Sequence, residues 1–155
     1  RNLMFDKLRG ALEHYTNFYL KLLAGAEFSV SFPAQSRTGK EKFDIVLHSG
    51  IAEQPLEGYS EGETWRATFA VLLALRRILL EGNHCDASWL LVDDPIGALD
   101  DSGANMFTKV LEGLVQDGGI SQILVTVPRD VERPQSANTL TVVRHHRVSQ
   151  LQEAT

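Results

Sequence analysis

The sequence is poor in cysteine and proline, with one cysteine and five prolines among 155 residues. A single cysteine, Cys85, excludes an internal disulfide framework and fits a reducing, cytoplasmic compartment. The absence of repeats and low-complexity tracts argues against a disordered or fibrous chain. No apolar run is long enough to cross a bilayer, so we expect no membrane partner. The remaining composition, 43% hydrophobic and 23% charged, is typical of one globular domain with a sizeable core.

The chain also lacks a basic surplus and an initiator methionine. Twenty acidic against fifteen basic side chains give a formal charge of −5. This balance argues against a protein whose main surface binds nucleic acid by charge alone. The sequence begins with Arg1 and has no secretory signal pattern. We therefore expect it to be a piece of a longer polypeptide.

Hydrophobic periodicity predicts an α/β fold. Apolar residues at helical spacing predict helices over residues 3–23, 65–80 and 106–115. Alternating or continuous apolar runs predict strands over residues 28–32, 43–48, 89–92, 122–127 and 139–144. The first two strands are expected to form an antiparallel hairpin, and the order strand, helix, strand after residue 89 predicts a parallel pair. Residues 49–60 are predicted to form a loop, and the tail from Ser149 is polar. Trp65 and Trp89 are predicted to be core residues.

Ser60 and Glu63 have the spacing of a capping box at the start of the long apolar helix. In such a box the serine hydroxyl accepts from the Glu63 amide, and the Glu63 carboxylate reaches back to the Ser60 amide. A helix begun in this way aims unpaired N–H groups outward at the positive end of its dipole, which suits a phosphate, and Gly62 lets a ligand approach the backbone. A capped core helix without a ligand is the alternative.

Asp93 and Asp94 end a continuous apolar run and are followed by Pro95. Carboxylates at the C-terminal end of a buried parallel strand lie where α/β sheets bind ligands. One of them could hold Mg²⁺ directly or through water, and the second could polarise a water for attack on a phosphoryl group. A helix cap within a solvated turn explains the same pair equally well.

Taken in order, these motifs resemble those of ABC-type ATPases. Tyr-Ser-Glu-Gly-Glu at residues 59–63 resembles the Leu-Ser-Gly-Gly-Glu/Gln signature, and Leu-Leu-Val-Asp-Asp-Pro at residues 90–95 resembles the Walker B strand. Ala-Leu-Asp at residues 98–100 resembles the D-loop that follows it, and the strand predicted at residues 122–127 lies where the switch strand is expected. The ordered combination is far more specific than any one motif.

Within this superfamily the chain is most similar to the SMC/SbcC branch, the DNA-repair and chromosome-organising ATPases related to RecF and RecN. Glu63 occupies a position where transporters usually carry Gln, and Ser60 and Asp93 are 33 positions apart, which is longer than the transporter spacing. An amphipathic helix also leads into a strand pair. The resemblance implies that residues 25–155 form the C-terminal lobe of an ABC-type ATPase head, and that residues 1–24 are the root of a coiled-coil arm.

The resemblance also assigns roles to individual side chains. The signature residues are implied to meet the γ-phosphate of a nucleotide held by a second head, and they are Ser60, Glu61, Gly62 and Glu63. Asp93 is implied to organise Mg²⁺, and Asp94 to orient the attacking water as the catalytic residue. Asp100 of the D-loop is implied to act across the dimer interface, and Thr126 and Val127 belong to the switch strand.

A phosphate-cradling Walker A loop is missing from the sequence. The nearest candidate, Thr-Gly-Lys-Glu at residues 38–41, has Glu41 where the hydroxyl residue belongs and Ala34 where the first glycine belongs. The resemblance therefore implies that the N-terminal half of the same head supplies Walker A, and that a second head completes a dimer around ATP. It further implies ATP and Mg²⁺ as cofactors, and DNA and an SbcD-type nuclease as partners, in a nucleoid-associated setting.

The chain departs from the family pattern at three positions. Glu61 replaces the first signature glycine, Asp94 is one methylene shorter than the usual Glu, and Val127 replaces the switch histidine. Because valine cannot hydrogen-bond a γ-phosphate, that contact falls to Thr126, Arg129 or another chain. We expect an ATPase that works only in the completed head, with ATP binding and head closure favoured over rapid hydrolysis. A non-hydrolysing, ATP-gated docking module of the same fold is the alternative, and a transporter ATPase subunit is disfavoured.

Overall fold

A computed structural model describes the chain at residues 2–33, 44–50, 52–83, 88–117, 119–127, 137–145 and 148–153. Its helices are α1 (Asn2–Ala24), α2 (Glu61–Asn83) and α3 (Asp101–Gln116). Its strands are β1 (Ser29–Ser31), β2 (Val46–His48), β3 (Glu53–Pro55), β4 (Trp89–Asp93), β5 (Gln122–Thr126), β6 (Leu140–His145) and β7 (Val148–Glu153). A single 3-10 turn, Leu56–Gly58, precedes α2. None of the helices in these ranges is long and apolar enough to cross a membrane.

The described strands form three small sheets. In the first, β2 pairs antiparallel with both β1 and β3. In the second, β4 and β5 are parallel, and Asp93 lies opposite Thr126 at their C-terminal ends. In the third, β6 and β7 form an antiparallel hairpin. The α/β class and the hairpin of β1 and β2 are therefore confirmed. The parallel pairing of β4 and β5, which precede and follow α3 in the sequence, is confirmed as well.

The packing of α1 against α2 forms the centre of the core. The side chains of Ala67, Ala70 and Ala74 in α2 are fully buried, and their spacing places them along one face of the helix. Small side chains on that face let a second helix approach closely. The first helix contributes large buried side chains, which are Leu12, Tyr19, Leu20 and Leu23. Burying an aliphatic side chain of this size contributes roughly 1.5–3 kcal/mol.

An aromatic cluster attaches α3 to α2. The rings of Trp65 and Phe69 stack with centroids 5.0 Å apart. Phe107 of α3 meets both edge-on, at 5.3 Å from Trp65 and 5.4 Å from Phe69. Edge-on and offset arrangements of this kind are favourable beyond the area that they bury. Trp65, predicted to be a core residue, is partly buried and packs against the core. This packing fixes α3 beside the first half of α2.

The side chain of Asn17 joins α1 to the edge of the first sheet. Its amide nitrogen donates to the Val30 carbonyl at 2.8 Å, and the Val30 N–H donates to its amide oxygen at 2.7 Å. Two residues further along, the Phe32 N–H donates to the Glu13 carboxylate at 3.2 Å. These side chains satisfy backbone groups at the edge of a sheet, where unpaired groups would otherwise invite pairing with another chain.

The predicted loop after β2 and the polar C-terminal tail each contain a strand. Residues 53–55 form β3, in which Pro55 is tolerated because β3 pairs only with β2 among the described strands, and an edge strand can lack one N–H donor. Residues 148–153 form β7, although the segment is polar, because a hairpin ladder is built from backbone hydrogen bonds rather than from apolar side chains.

Trp89 is not a core residue, contrary to the prediction from its apolar surroundings. Its side chain is 64% exposed, and Leu91 and Leu124 on the same two strands are 56% and 58% exposed. The run from residue 89 to 92 has the composition of a strand buried on both faces, yet within the described residues one face of the β4–β5 pair is uncovered. Burial therefore depends on what packs against a sheet as well as on the apolar pattern.

The buried hydroxyl of Thr16 generates a stability prediction. Thr16 in α1 is fully buried, and its Oγ1 has no hydrogen-bond partner among the residues that the structure describes. We expect Thr16→Val to raise the free energy of unfolding by about 1 kcal/mol, because an unsatisfied buried hydroxyl is costly and both residues are β-branched. Urea unfolding measures the change. Thr68→Val, at an exposed position of α2, is the control and should have little effect. A destabilised Thr16→Val variant would contradict the prediction.

Candidate functional site

The capping box predicted at the start of α2 is present. The Ser60 N–H donates to Glu63 Oε2 at 2.9 Å, and the Ser60 hydroxyl donates to the same oxygen at 2.6 Å. In return the Glu63 N–H donates to Ser60 Oγ at 3.3 Å, and the Thr64 N–H donates to the Ser60 carbonyl at 2.9 Å. The box fixes the first turn of α2, so that its N-terminal end and positive dipole point in a defined direction.

The electrostatics of this turn follow from the same contacts. The hydrogen bond from the Ser60 side chain, followed by the one from the Ser60 backbone, lowers the pKa of the Glu63 carboxyl below its ordinary value of 4.5. Arg66 adds a smaller effect in the same direction, against a modest opposing effect of burial. Arg66 also donates from Nε to the Gly62 carbonyl at 3.2 Å. The turn therefore carries an ionised Glu63 and a cation beside it.

Gly62 lies against the loop that follows β4. A Cβ atom added to Gly62 would stand 2.9 Å from the Ala98 carbonyl oxygen and 3.9 Å from Leu99 Cδ2. A contact below 3.0 Å with a backbone atom forces the structure to shift, so only glycine allows α2 to approach this loop so closely. The structure thus brings two sequence-predicted groups into contact, the signature-like turn at residues 60–63 and the D-loop-like segment at residues 98–100.

A second group of predicted residues meets at the C-terminal ends of β4 and β5. The Thr126 hydroxyl donates to the Asp93 carboxylate and accepts from the Asp94 N–H at 3.0 Å. Asp94 itself has a left-handed backbone, with φ at 43°. Its carboxylate lies over Gly97, where an added Cβ would stand 3.4 Å from both Oδ atoms. Both aspartate side chains are exposed at this end of the sheet.

The carboxylate of Asp100 caps α3. Its Oδ1 accepts from the Gly103 N–H at 2.8 Å, and its backbone is extended, as an N-cap residue requires. The cap of α3 is therefore Asp100, and neither Asp93 nor Asp94 has the alternative role of a cap on this helix. The role of Asp100 across a dimer interface stays a prediction.

The remaining predicted residues lie outside the contacts described above. Glu61 is exposed in the first turn of α2, and Val127 follows β5 with 42% of its side chain exposed. Arg129 and Lys40 lie outside the described residues. The motifs place Thr126 in the switch strand, but they do not predict its bonds to the aspartates. Aligning the ends of the two parallel strands would have revealed them, because the last residue of β5 lies opposite the last residue of β4.

The acidic side chains at the strand ends are chemically suited to Mg²⁺. Hard carboxylate oxygens are its preferred protein ligands, and it usually keeps several waters and binds through one or two carboxylates together with substrate phosphates. Within the described ranges, no three His, Cys, Asp or Glu side chains gather into a cage for a metal. The donor set of Asp93 and Asp94 therefore fits a magnesium ion that is shared with a phosphate ligand, rather than one held by protein alone.

The chain is similar in sequence to two curated proteins. It is 24% identical over 129 residues to the probable exonuclease subunit 2 of Escherichia phage T5, which covers 81% of this chain and 20% of that protein. It is 23% identical over 104 residues to the DNA double-strand break repair Rad50 ATPase of Thermoplasma acidophilum, covering 67% and 11% respectively. The chain thus spans a fifth or less of these relatives. No protein-family model matches it.

Solved structures share the fold over nearly the whole chain. A structure from work on ATP-driven dimerization and DNA-stimulated activation of SMC ATPases matches with a TM-score of 0.80 and 17% identity, covering all of this chain and 90% of that one. An Smc head bound to the C-winged helix domain of ScpA matches at 0.74 and 16% identity, with 99% and 45% covered. The Smc head of Pyrococcus yayanosii, with a coiled coil and joint, matches at 0.72 and 18%, with 94% and 27% covered.

These matches confirm that the chain has the fold of an SMC head. The resemblance inferred from the motifs is therefore confirmed at the level of the fold. The two sequence relatives, an exonuclease subunit and a Rad50 ATPase, agree with it. The individual roles of the signature, Walker B, D-loop and switch residues stay predictions.

The lowered pKa of Glu63 predicts a pH-dependent stability. Because the folded pKa lies below 4.5, the contribution of the ionised carboxylate is fully present above that pH and is lost as the pH falls through the folded value. We expect the difference in unfolding free energy between wild type and Glu63→Gln to be constant near neutral pH and to shrink below 4.5. Urea unfolding over a pH series measures it, with Glu61→Gln as the control for loss of one charge in the same turn. A pH-independent difference would contradict the prediction.

Proposed function

We propose that this chain is the C-terminal half of an SMC/SbcC-like ATPase head that dimerises around ATP and couples Mg-ATP binding and hydrolysis to DNA repair or processing. The observation that carries the proposal is the contact of Gly62 with the Ala98 carbonyl. It joins a helix N-terminus suited to an anion with the loop that follows Asp93 and Asp94. An ATPase that closes on its nucleotide needs these two parts in one rigid unit.

The start of α2 has the features of a γ-phosphate site that acts on a nucleotide held by another head. Its free backbone N–H groups and dipole favour an anion. The hydroxyl of Ser60, which here donates to Glu63, can turn its single proton to a phosphate oxygen instead. Glu63 then keeps the Ser60 N–H as a partner, so the first turn remains capped during the exchange. The neighbouring Glu61 is exposed and free to point away from the phosphates.

The strand ends supply the hydrolytic groups in this proposal. Asp93 would hold Mg²⁺ directly or through water, and the ion would neutralise charge on the phosphates. Asp94 would accept a hydrogen bond from the attacking water and orient it toward the phosphoryl group. Both carboxylates are exposed and reach the same end of the sheet, which is where parallel sheets bind their ligands.

The uncovered side of the β4–β5 pair supports the need for an N-terminal half. Trp89, Leu91 and Leu124 expose more than half of their side chains on this pair. A groove of about 290 Å³ runs between α2 and β4, and Leu72 and Asp93 are among its lining residues. Apolar area of this kind is seldom left to water on a stable protein. In the proposal, the half-head that carries Walker A covers this face and delivers the phosphate-cradling loop beside the aspartates.

The first helix has a second apolar face that supports its assignment as the root of a coiled-coil arm. Leu8, Phe18 and Leu22 are each nearly half exposed, whereas Tyr19, Leu20 and Leu23 on the same helix are buried. Together with Ala11 and Tyr15 they recur at intervals of three and four residues, which is the spacing of a coiled-coil seam. The end of α1 nearest β1 is packed in the core. Movement of an arm that extends this helix would therefore reach the head directly.

The partners follow from the same proposal. Two sequence relatives are a Rad50 ATPase for DNA double-strand break repair and a probable exonuclease subunit. We infer from them a DNA-associated protein that works with an SbcD-type nuclease in the cytoplasm. Because this chain is acidic, we expect most DNA contacts to lie on the other half-head or on partners.

The test is ATP-dependent dimerisation of the complete head, assembled from this chain and the N-terminal half. We expect a dimer with Mg-ATP and a monomer without nucleotide, measured by size-exclusion chromatography with light scattering. Ser60→Arg should abolish the dimer, because a bulky side chain at the start of α2 blocks the approach of a second head. Ser149→Arg on β7 is the matched control and should dimerise normally. A wild-type head that stays monomeric with ATP would overturn the proposal.

A non-hydrolysing, ATP-gated docking module of the same fold is the second candidate. Val127 favours it, since this side chain follows β5 at the switch position and cannot hydrogen-bond a γ-phosphate. The short side chain of Asp94 favours it as well, because a carboxylate one methylene shorter than Glu must hold the attacking water closer.

Phosphate release from the complete head separates the two candidates. For a hydrolase we expect the release rate to fall about a hundredfold in Asp94→Asn, since general-base groups contribute roughly 10²–10⁴ in rate. The dimer should persist with ATP in that variant, because Asn conserves the size of the side chain. Equal rates for wild type and Asp94→Asn would favour the docking module.

A further inference from the structure

The C-terminal ends of β4 and β5 are joined by one side chain, that of Thr126. The two strands are parallel and in register, so Thr126 lies opposite Asp93. Its hydroxyl donates its proton to the Asp93 carboxylate and accepts from the Asp94 N–H at 3.0 Å. One atom therefore contacts the side chain of one acidic residue and the backbone of the next.

The backbone of Asp94 needs such a contact. Asp94 is the one non-glycine residue in the described part of the chain that has a positive φ, at 43°. Aspartate visits this left-handed region more readily than most residues, but it still departs there from the extended backbone of the strand that it follows. The hydrogen bond to Thr126 holds the peptide between Asp93 and Asp94 in the turned orientation. It thereby sets the direction in which the Asp94 side chain leaves the strand, toward Gly97.

Only a hydroxyl can make both contacts from one atom. It has one donor and free lone pairs, so it can donate to a carboxylate and accept from an amide at the same time. Valine has the shape of threonine without either function, and serine has the function without the extra methyl. The single hydroxyl proton of Thr126 is directed at Asp93, so donation to a phosphate oxygen would break the bond that holds this carboxylate.

We propose that Thr126 is a positioning residue that fixes the geometry of Asp93 and Asp94, and that it is not a replacement for the missing γ-phosphate contact of the switch strand. This inference rests on the proposed function, in which Asp94 orients water and Asp93 holds Mg²⁺. The hydroxyl acts through the two aspartates and touches neither the nucleotide nor the water.

The kinetic test uses the complete head with four variants: Thr126→Val, Thr126→Ser, Asp94→Asn and the double variant Thr126→Val/Asp94→Asn. We expect Thr126→Val to lower kcat at least about tenfold with little change in KM for ATP, because a displaced catalytic group loses rate rather than substrate affinity. Thr126→Ser should restore most of the rate. In the Asp94→Asn background the Thr126→Val change should have a smaller effect than in wild type, because the part that acts through Asp94 is already lost and only the part that acts through Asp93 remains. Thr141→Val on β6, the same change outside the site, should behave as wild type.

A second measurement does not depend on hydrolysis. The Asp94 amide proton should exchange slowly with deuterium in wild type and in Thr126→Ser, and faster in Thr126→Val, because its acceptor is lost. If Thr126→Val keeps both the wild-type kcat and the wild-type exchange rate of the Asp94 amide, the inference is overturned. A raised KM at unchanged kcat would also overturn it, since that result would assign the hydroxyl to the nucleotide. A wild-type head that hydrolyses no ATP would count against the proposed hydrolase instead, and the exchange experiment would then decide the role of Thr126 alone.

Discussion

The close packing of α1 on α2 is the contact on which the other elements depend. It is the most extensive contact between non-neighbouring elements, and it is made possible by the small buried side chains of Ala67, Ala70 and Ala74. The sheets are too small to be stable alone, because two- and three-stranded sheets need a partner for their apolar face. The first sheet is held to α1 through Asn17, and α3 is held to α2 through Phe107. The helix pair is thus the frame of the lobe.

The candidate site inherits its geometry from this frame. The residues that open α2 are continuous with the buried face of the same helix, so the turn at Ser60 cannot move without the core. Gly62 then fixes the distance between that turn and the loop before α3. Asp100 closes the loop by capping α3. The buried residues of α1 and α2 belong to one hydrophobic core, so α1 is packed against the helix that carries the turn at Ser60.

Much of the fold was accessible from the sequence because its signals are local. The long helices follow from apolar spacing within a few turns, and the capping box at Ser60 and Glu63 spans only three residues. The alternation of apolar and polar residues likewise predicted β2, and a continuous apolar run predicted β4. The errors occurred where a segment depends on distant partners. β3 and β7 are polar and are strands only because another strand lies beside them, and Trp89 is exposed because its face of the sheet is uncovered.

The same distinction holds for the site. By itself the sequence determined that an acidic pair ends an apolar strand, that a capped helix with a glycine in its first turn precedes it, and that the motifs come in the order of an ATPase head. Only the tertiary structure decided that the missing Cβ of Gly62 faces the Ala98 carbonyl, and that Thr126 bonds both Asp93 and Asp94. The physical reason is separation along the chain. Contacts between residues more than thirty positions apart are set by helix packing and strand register, which no short window of sequence contains.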